Sequence, residues 1–221
     1  MNPKDIKGAI FDCDGVLFDS MWMWRIVEVE YLESLGVTSR EDLSKALRTL
    51  APQEVAEYFR TEYGLTKTLE EIIDGKNALM SDFYNREVLL KPGVSRVLDL
   101  FRKHGIKMCA ATATDRYLVE AAMQKTGILG YFGRIFTCSE EKTSKSRPDI
   151  FIRAAGFLGT EIKETLVVED ALHSIRSAKN AGFPVAGVFD QTADIHQDEI
   201  RMLCDHYFLT VDEMAEMFST I

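Results

Sequence analysis

A short apolar run, Gly8-Ala9-Ile10-Phe11, leads directly into an acidic residue, Asp12. After it the pattern changes. Met23 to Leu35, Pro52 to Tyr63 and Leu69 to Val88 place apolar residues at helical spacing among mixed charges. Pro52 followed by Gln53-Glu54 reads as a helix start. Leu89-Leu90-Lys91-Pro92-Gly93-Val94, with Pro and Gly together, closes that block. Beyond residue 93 short apolar runs alternate with helical ones. The runs predict strands at Ile106 to Ala111, Ile135 to Cys138, Leu166 to Val168, Val185 to Val188 and Tyr207 to Leu209. Helices are predicted at Val94 to His104, Asp115 to Lys125, Asp149 to Leu158, Leu172 to Ala181, Ile195 to Leu203 and Val211 to Phe218.

Strands that are apolar throughout, separated by helices, argue for a parallel sheet covered on both faces. The fold class expected is therefore α/β, a doubly wound, Rossmann-like sheet. The first strand must join that sheet, so the helical block is an insertion after it. The expected division is a core of residues 1–19 and 89–221 and a helical unit of residues 20–88. A length of 221 residues suits one core domain plus an insertion. There is no internal repeat and no low-complexity segment.

Composition narrows the partners. A hydrophobic share of 46% is enough for a packed core. The formal net charge of −9 disfavours nucleic acid and anionic membrane surfaces. An anionic substrate must then be held by a local positive site. The four cysteines, at 13, 109, 138 and 204, include no C-x-x-C pair and read as reduced core residues. The first residues lack the apolar stretch of a signal peptide, and no later run approaches the ~20 residues of a membrane span. A cytoplasmic protein is the default expectation.

The richest stretch is Phe11-Asp12-Cys13-Asp14-Gly15-Val16-Leu17-Phe18-Asp19-Ser20. In extended chain the side chains of Asp12 and Asp14 point the same way, and like charges this close need a cation or a shared proton. Gly15 permits a sharp departure of the chain. An Asp-x-Asp-Gly run also opens calcium loops, but those need further oxygen ligands and a closing Glu, and here Val16-Leu17-Phe18 follow. A second acidic pair, Glu169-Asp170, ends the apolar run Leu166-Val167-Val168. Taken alone, Asp170 would suit a helix N-cap before Leu172. Taken with Asp12 and Asp14, the four carboxylates point to a hard-cation site of oxygen ligands at the carboxyl ends of parallel strands. Thr112 follows a strand; its hydroxyl and the N–H groups of Ala113 and Thr114 could hold a phosphate at a helix start, or Thr112 could be a plain cap. Lys145, in Lys145-Ser146-Arg147-Pro148-Asp149, would by itself be a solvated loop charge.

Together these four strand-end signals resemble the haloacid dehalogenase-like superfamily, in the branch similar to β-phosphoglucomutase and phosphoglycolate phosphatase. The resemblance covers nearly the whole chain, helical cap included. Asp12 to Ser20 resembles the first motif and Thr112 the second. Lys145, three residues before Pro148-Asp149-Ile150-Phe151, resembles the third; Lys142 is a weaker match because its spacing to the proline differs. Val168-Glu169-Asp170 through Ala181-Gly182 resembles the fourth. Ala171 and Ser174 stand where the family usually has Ser and Gly, so the local backbone there is expected to differ slightly, and Trp24 stands where the family often has His.

What the resemblance implies is a phosphatase acting on a small phosphorylated metabolite. Asp12 would attack phosphorus to form an aspartyl-phosphate, and Asp14 would protonate the leaving oxygen and later take a proton from water. Mg2+ would be held by Asp12, Asp170 and the backbone carbonyl of Asp14, with Glu169 a ligand through water or a supporting partner. Lys145 would bridge Asp12 and the phosphoryl group, with Thr112 and Ala113 binding phosphate. The cap would close over the site. Lys76, Trp24, the run Met21 to Trp24 and the turn Thr49-Leu50-Ala51-Pro52 are its candidate specificity positions, each equally readable as cap core or surface. Four aromatic and methionine side chains in a row cannot all face one core, so at least one of Met21 to Trp24 should face the cleft. The expected partner is a small-molecule phosphate ester, with no nucleic acid, membrane or protein partner. A phosphomutase is the nearest rival, weakened by Trp24 and by the absence of a basic residue in Leu50-Ala51-Pro52-Gln53, and kept open by Lys76, which falls where the resemblance places a cap lysine. A dehalogenase would leave Asp14 and the Glu169-Asp170 pair without purpose. A non-catalytic phosphate-binding module would have lost a motif residue, and none is missing.

Overall fold

Strand β1 (Gly8–Phe11) lies at the centre of a parallel sheet and is buried along its whole length. The computed structural model describes residues 1–47, 50 and 52–219, with the backbone alone for 193–195. After β1 come four helices, α1 (Met21–Ser34), α2 (Leu43–Leu47), α3 (Pro52–Tyr63) and α4 (Leu69–Arg86). The chain then alternates: α5 (Val94–Lys103), β2 (Lys107–Thr112), α6 (Arg116–Lys125), β3 (Ile135–Thr137), α7 (Cys138–Glu141), α8 (Asp149–Leu158), β4 (Thr165–Glu169), α9 (Leu172–Asn180), β5 (Val185–Val188), α10 (Gln197–Leu203), β6 (His206–Phe208) and α11 (Val211–Phe218). The six described strands are parallel in the order β3-β2-β1-β4-β5-β6.

Because side chains alternate along a strand, β1 feeds two cores. Ala9 and Phe11 face one side, packed with Val97, Phe101, Met214 and Phe218. Ile10 faces the other with Phe151, Ala154 and Ile175. The register fixes the layers: Ile10 is flanked by Cys109 of β2 and Val167 of β4. Since both faces are covered, the strands can be apolar throughout.

The helical insertion leaves and re-enters the core at adjoining points. Phe18 bridges Leu90 in antiparallel fashion, Asp19 N–H donates to the Leu89 carbonyl at 3.0 Å, and Lys91 N–H donates to the Leu17 carbonyl at 2.9 Å. The insertion has its own apolar cluster, built on Tyr31, Leu32, Leu43, Val55, Phe59 and Ile72. Helix α4 starts on a capping box in which Thr68 and Glu71 satisfy each other's N–H groups. It packs against α1 and α3 on one side and against α6 of the core on the other.

Several boundaries differ from expectation. The helix expected from Ile195 begins as α10 at Gln197, after a 3-10 segment over Gln191–His196. Thr112 is the last residue of β2, and Asp115, three residues on, stands before α6. Ala171, not Asp170, caps α9, which leaves the Asp170 carboxylate out of the helix. Helices α2 and α7 are too short for periodicity to reveal. The four cysteines are free thiols, three of them buried. Among the described residues no helix is long and apolar enough to cross a membrane.

The fully buried Phe101 ring meets Phe11 at 5.7 Å and Phe218 at 4.6 Å between centroids. Phe101→Ala is expected to cost about 3–5 kcal/mol, transfer and cavity terms together. Chemical denaturation should show a lower midpoint with an unchanged slope.

Candidate active site

The carboxyl ends of β1 and β4 are adjacent, so the residues that follow them meet. Asp12 and Asp14 leave β1; Glu169 ends β4 and Asp170 follows. All four carboxylates are buried. Oxygens of Asp12, Glu169 and Asp170 lie within 4.8 Å of one another. Into this group reaches the ammonium of Lys145, itself only 5% exposed. It lies 2.7 Å from Asp12 Oδ1 and 2.6 Å from Glu169 Oε1. Lys142, by contrast, is exposed and ends α7 in the left-handed conformation. Of the two lysines, it is Lys145 that the structure brings to the carboxylates.

The charges explain one another. Burial, and then the nearby Glu169, push the Asp12 carboxyl up to about 8, against the pull of Lys145. Burial together with Asp12 and Glu169 raises Asp170 well above the carboxylate range. Burial alone would lower Lys145, but the two carboxylates outweigh it and raise its pKa. Glu169 does not line the cavity. It holds Lys145 from behind, and its Oε2 accepts from the N–H groups of Asp170 (3.2 Å) and Ala171 (3.3 Å).

Asp14 is held differently. Ser20 Oγ and Tyr84 Oη donate to its Oδ1, and Thr114 Oγ1 donates to its Oδ2 at 2.6 Å. None of these three hydroxyls stands out in the sequence. Tyr84 looks like any aromatic on an amphipathic helix, and Thr114 enters the sequence reading only through its backbone N–H. That N–H donates to Thr112 Oγ1 at 3.1 Å, which takes it out of the expected phosphate cradle.

These groups open onto a cavity of about 460 Å³ lined by both the sheet's carboxyl edge and the insertion. Asp12, Asp14, Thr112, Ala113, Lys145 and Asp170 line its floor. Lys76 and Trp24 line the insertion side, as do Met21, Leu50 and Pro52. Thr49 and Ala51 of the expected turn lie outside the described residues. Trp22 is 46% exposed and packs edge-on against Phe83, while Met23 packs on the core, so Met21 and Trp24 are the two of that run that face the cleft. Lys76 is buried and lies 3.6 Å from Glu28; burial lowers its pKa despite that partner. Ser174, at the position where a glycine was expected, is buried and its hydroxyl has no partner among the described residues.

Could this site hold a divalent cation? Its donors are all oxygen, the set that hard cations prefer. Among the described residues nothing donates to the Asp170 carboxylate or to Asp12 Oδ2, although both residues are buried and crowded by negative charge. The residues present fit such an ion.

Residues 6–182 match the model of the haloacid dehalogenase-like hydrolase family. The chain belongs to that family. As a haloacid dehalogenase-like hydrolase it resembles a "Probable pseudouridine-5'-phosphatase" of Drosophila melanogaster, 27% identical over 193 residues, with 85% of this chain and 83% of that protein covered. Hexitol phosphatase B of Escherichia coli K12 is 24% identical over 181 residues, covering 81% of this chain and 82% of the relative. A crystal structure of a CbbY mutant from Rhodobacter sphaeroides, in complex with xylulose-(1,5)bisphosphate, superposes with a TM-score of 0.82 at 22% identity over 94% of this chain and 96% of that one. That likeness shows the shared fold: a hydrolase sheet with a helical insertion.

Gly15 turns the chain with φ +78, and a Cβ there would lie 2.3 Å from Asp170 Oδ2. Gly15→Ala is expected to displace that carboxylate and to cost about 1–3 kcal/mol in backbone strain. Hydrolase activity should fall by far more than thermal unfolding would account for.

Proposed function

We propose that this hydrolase is a magnesium-dependent phosphatase that releases phosphate from a small phosphorylated metabolite through an aspartyl-phosphate on Asp12. The observation that carries this reading is the meeting of Asp12, Asp170 and Lys145 at the floor of a closed-in cavity, with Asp14 beside them. An anion can be bound in so acidic a protein only where fixed positive charge is local, and Lys145 is such a charge. Lys145 and the Cys13 N–H, which donates to Asp12 Oδ1 at 2.7 Å, orient the Asp12 carboxylate toward the cavity.

The phosphoryl group would pass from the substrate oxygen to an Asp12 oxygen, with Asp14 giving a proton to the departing alcohol. Water would then attack the acyl phosphate while Asp14 takes its proton back, freeing inorganic phosphate and Asp12. Thr112 and Ala113 would hold phosphoryl oxygens on the side away from Lys145. Magnesium, held by the Asp12 and Asp170 carboxylates and the Asp14 carbonyl with Glu169 behind them, would supply positive charge to the non-bridging oxygens. Residues 20–88 act as the cap, and 1–19 with 89–221 as the core. Lys76 and Trp24 would contact the alcohol part of the substrate. The Trp24 indole proton is already committed to Tyr84, so Trp24 offers a ring face and no hydrogen bond. This also removes it as a proton shuttle, which supports a hydrolase over a mutase. The relatives named as phosphatases support the same class.

The direct test is phosphate release from p-nitrophenyl phosphate with and without magnesium. Wild type should depend on the ion, and Asp12→Asn should lose on the order of 10³-fold or more in kcat while remaining folded. An Asp12→Asn enzyme with near wild-type turnover would exclude Asp12 as nucleophile. Lys145→Ala should lose activity even at saturating magnesium, since the ion cannot replace a charge fixed on the other side of the phosphoryl group. Lys142→Ala should keep nearly full rate, and steady-state kinetics of the two variants separates them.

A further inference from the structure

We propose that Tyr84, contributed by the helical insertion, is the positioning residue of Asp14, and that Trp24 holds the Tyr84 hydroxyl to that role. The proposal rests on the reading of Asp14 as proton donor and acceptor given above.

Tyr84 lies near the end of α4, is fully buried, and directs its hydroxyl to Asp14 Oδ1 across seventy residues of sequence. A phenol has one proton to give. Trp24 Nε1, a donor only, points at the Tyr84 oxygen at 3.1 Å. With that acceptor side occupied, the Tyr84 proton is turned toward the carboxylate, and each bond of the chain Trp24–Tyr84–Asp14 polarises the next.

Three hydroxyls fix Asp14, and they come from three places. Ser20 stands at the start of the insertion, Thr114 just after β2, and Tyr84 at the insertion's far end. Ser20 and Thr114 sit on segments tied to the sheet. Tyr84, on helix α4, ties the carboxylate's direction to where the helices of the insertion sit. Proton transfer to a departing oxygen tolerates little misplacement, so a carboxylate free to rotate is a poor acid.

The ring and the hydroxyl of Tyr84 do separable work. The ring packs edge-on against Phe18 and Phe83, with centroids 6.4 and 5.7 Å apart. A phenylalanine would keep those contacts and lose the two hydrogen bonds of the hydroxyl, the one to Asp14 and the one from Trp24. Tyr84→Phe therefore isolates positioning from packing, and Trp24→Phe removes the second bond of the chain while leaving the Tyr84 hydroxyl.

The test uses two substrates of similar shape, p-nitrophenyl phosphate and phenyl phosphate, whose leaving oxygens differ in basicity. Loss of acid catalysis harms the more basic leaving group more. In kcat/KM, which reports the steps through leaving-group departure, Asp14→Asn should fall much further on phenyl phosphate. Tyr84→Phe should show the same asymmetry at about 10-fold, with KM little changed, and Trp24→Phe a smaller one. Equal losses on both substrates, or none, in Tyr84→Phe would overturn the positioning role. If Tyr84→Phe does not fold, the sign of the asymmetry in Trp24→Phe decides. If Asp14→Asn itself shows no asymmetry, the acid and base assignment of Asp14 falls, and the role of Tyr84 falls with it. A wild type that hydrolyses neither ester removes the phosphatase reading first.

Discussion

Carboxylates gather in a buried place only at a cost that positive charge reduces, and here the ammonium of Lys145 lies between Asp12 and Glu169. Two like charges about 4 Å apart repel by about 4 kcal/mol at an effective dielectric constant of 20. Lys145 offsets part of that repulsion. The rest shows in the raised pKa values of Asp12 and Asp170. A group so arranged is stable only with further positive charge or with protons. That is the physical reason the same residues suit a divalent ion and an incoming phosphoryl group. Removing one partner of such a buried pair leaves uncompensated charge, which typically costs 3–5 kcal/mol.

The sheet makes the gathering possible. β1 is flanked by β2 and β4, so the chain turns to opposite sides after neighbouring strands and leaves a crevice at their carboxyl ends. Asp12, Thr112 and Glu169 each end or directly follow one of these three strands. Lys145 arrives from the loop between α7 and α8, which β3 and its short following helix bring back toward the centre. The acidic residues need no special loop to meet, because parallel register sets them side by side.

The insertion lines one side of the cavity and reaches into it through Tyr84. Its two crossings are hydrogen-bonded to each other at Phe18–Leu90 and on either side of it. Ser20 and Trp24 lie just beyond the first crossing, and Tyr84 just before the second. The contacts of the insertion with Asp14 are thus made close to both crossings. The Lys76–Glu28 pair lies deeper in the insertion, where burial weakens the ammonium and its partner carboxylate alike.

How much of this was legible beforehand differs from residue to residue. The apolar strands and the helical block were plain, because sheet strands buried on both faces are apolar without interruption and amphipathic helices repeat at 3.6 residues. Asp12, Asp14, Glu169 and Asp170 were also visible, since two acidic pairs at the ends of two buried strands point together to one site. Lys145 could be chosen over Lys142 only by spacing, and that the Trp24 indole proton is committed to Tyr84 is not visible in the sequence. Ser20, Thr114 and Tyr84 could not be singled out as the grip on Asp14. A hydroxyl's partner depends on where distant segments are brought, and a buried tyrosine on a helix carries the same local pattern whether or not its oxygen meets a carboxylate. The sequence by itself determined the strand order's raw material, the acidic strand ends and the family resemblance, because those depend on local pattern. Only the tertiary structure decided which carboxylate Lys145 bridges to which, and which hydroxyls hold Asp14, because those contacts join residues tens of positions apart and exist only when sheet and insertion are packed together.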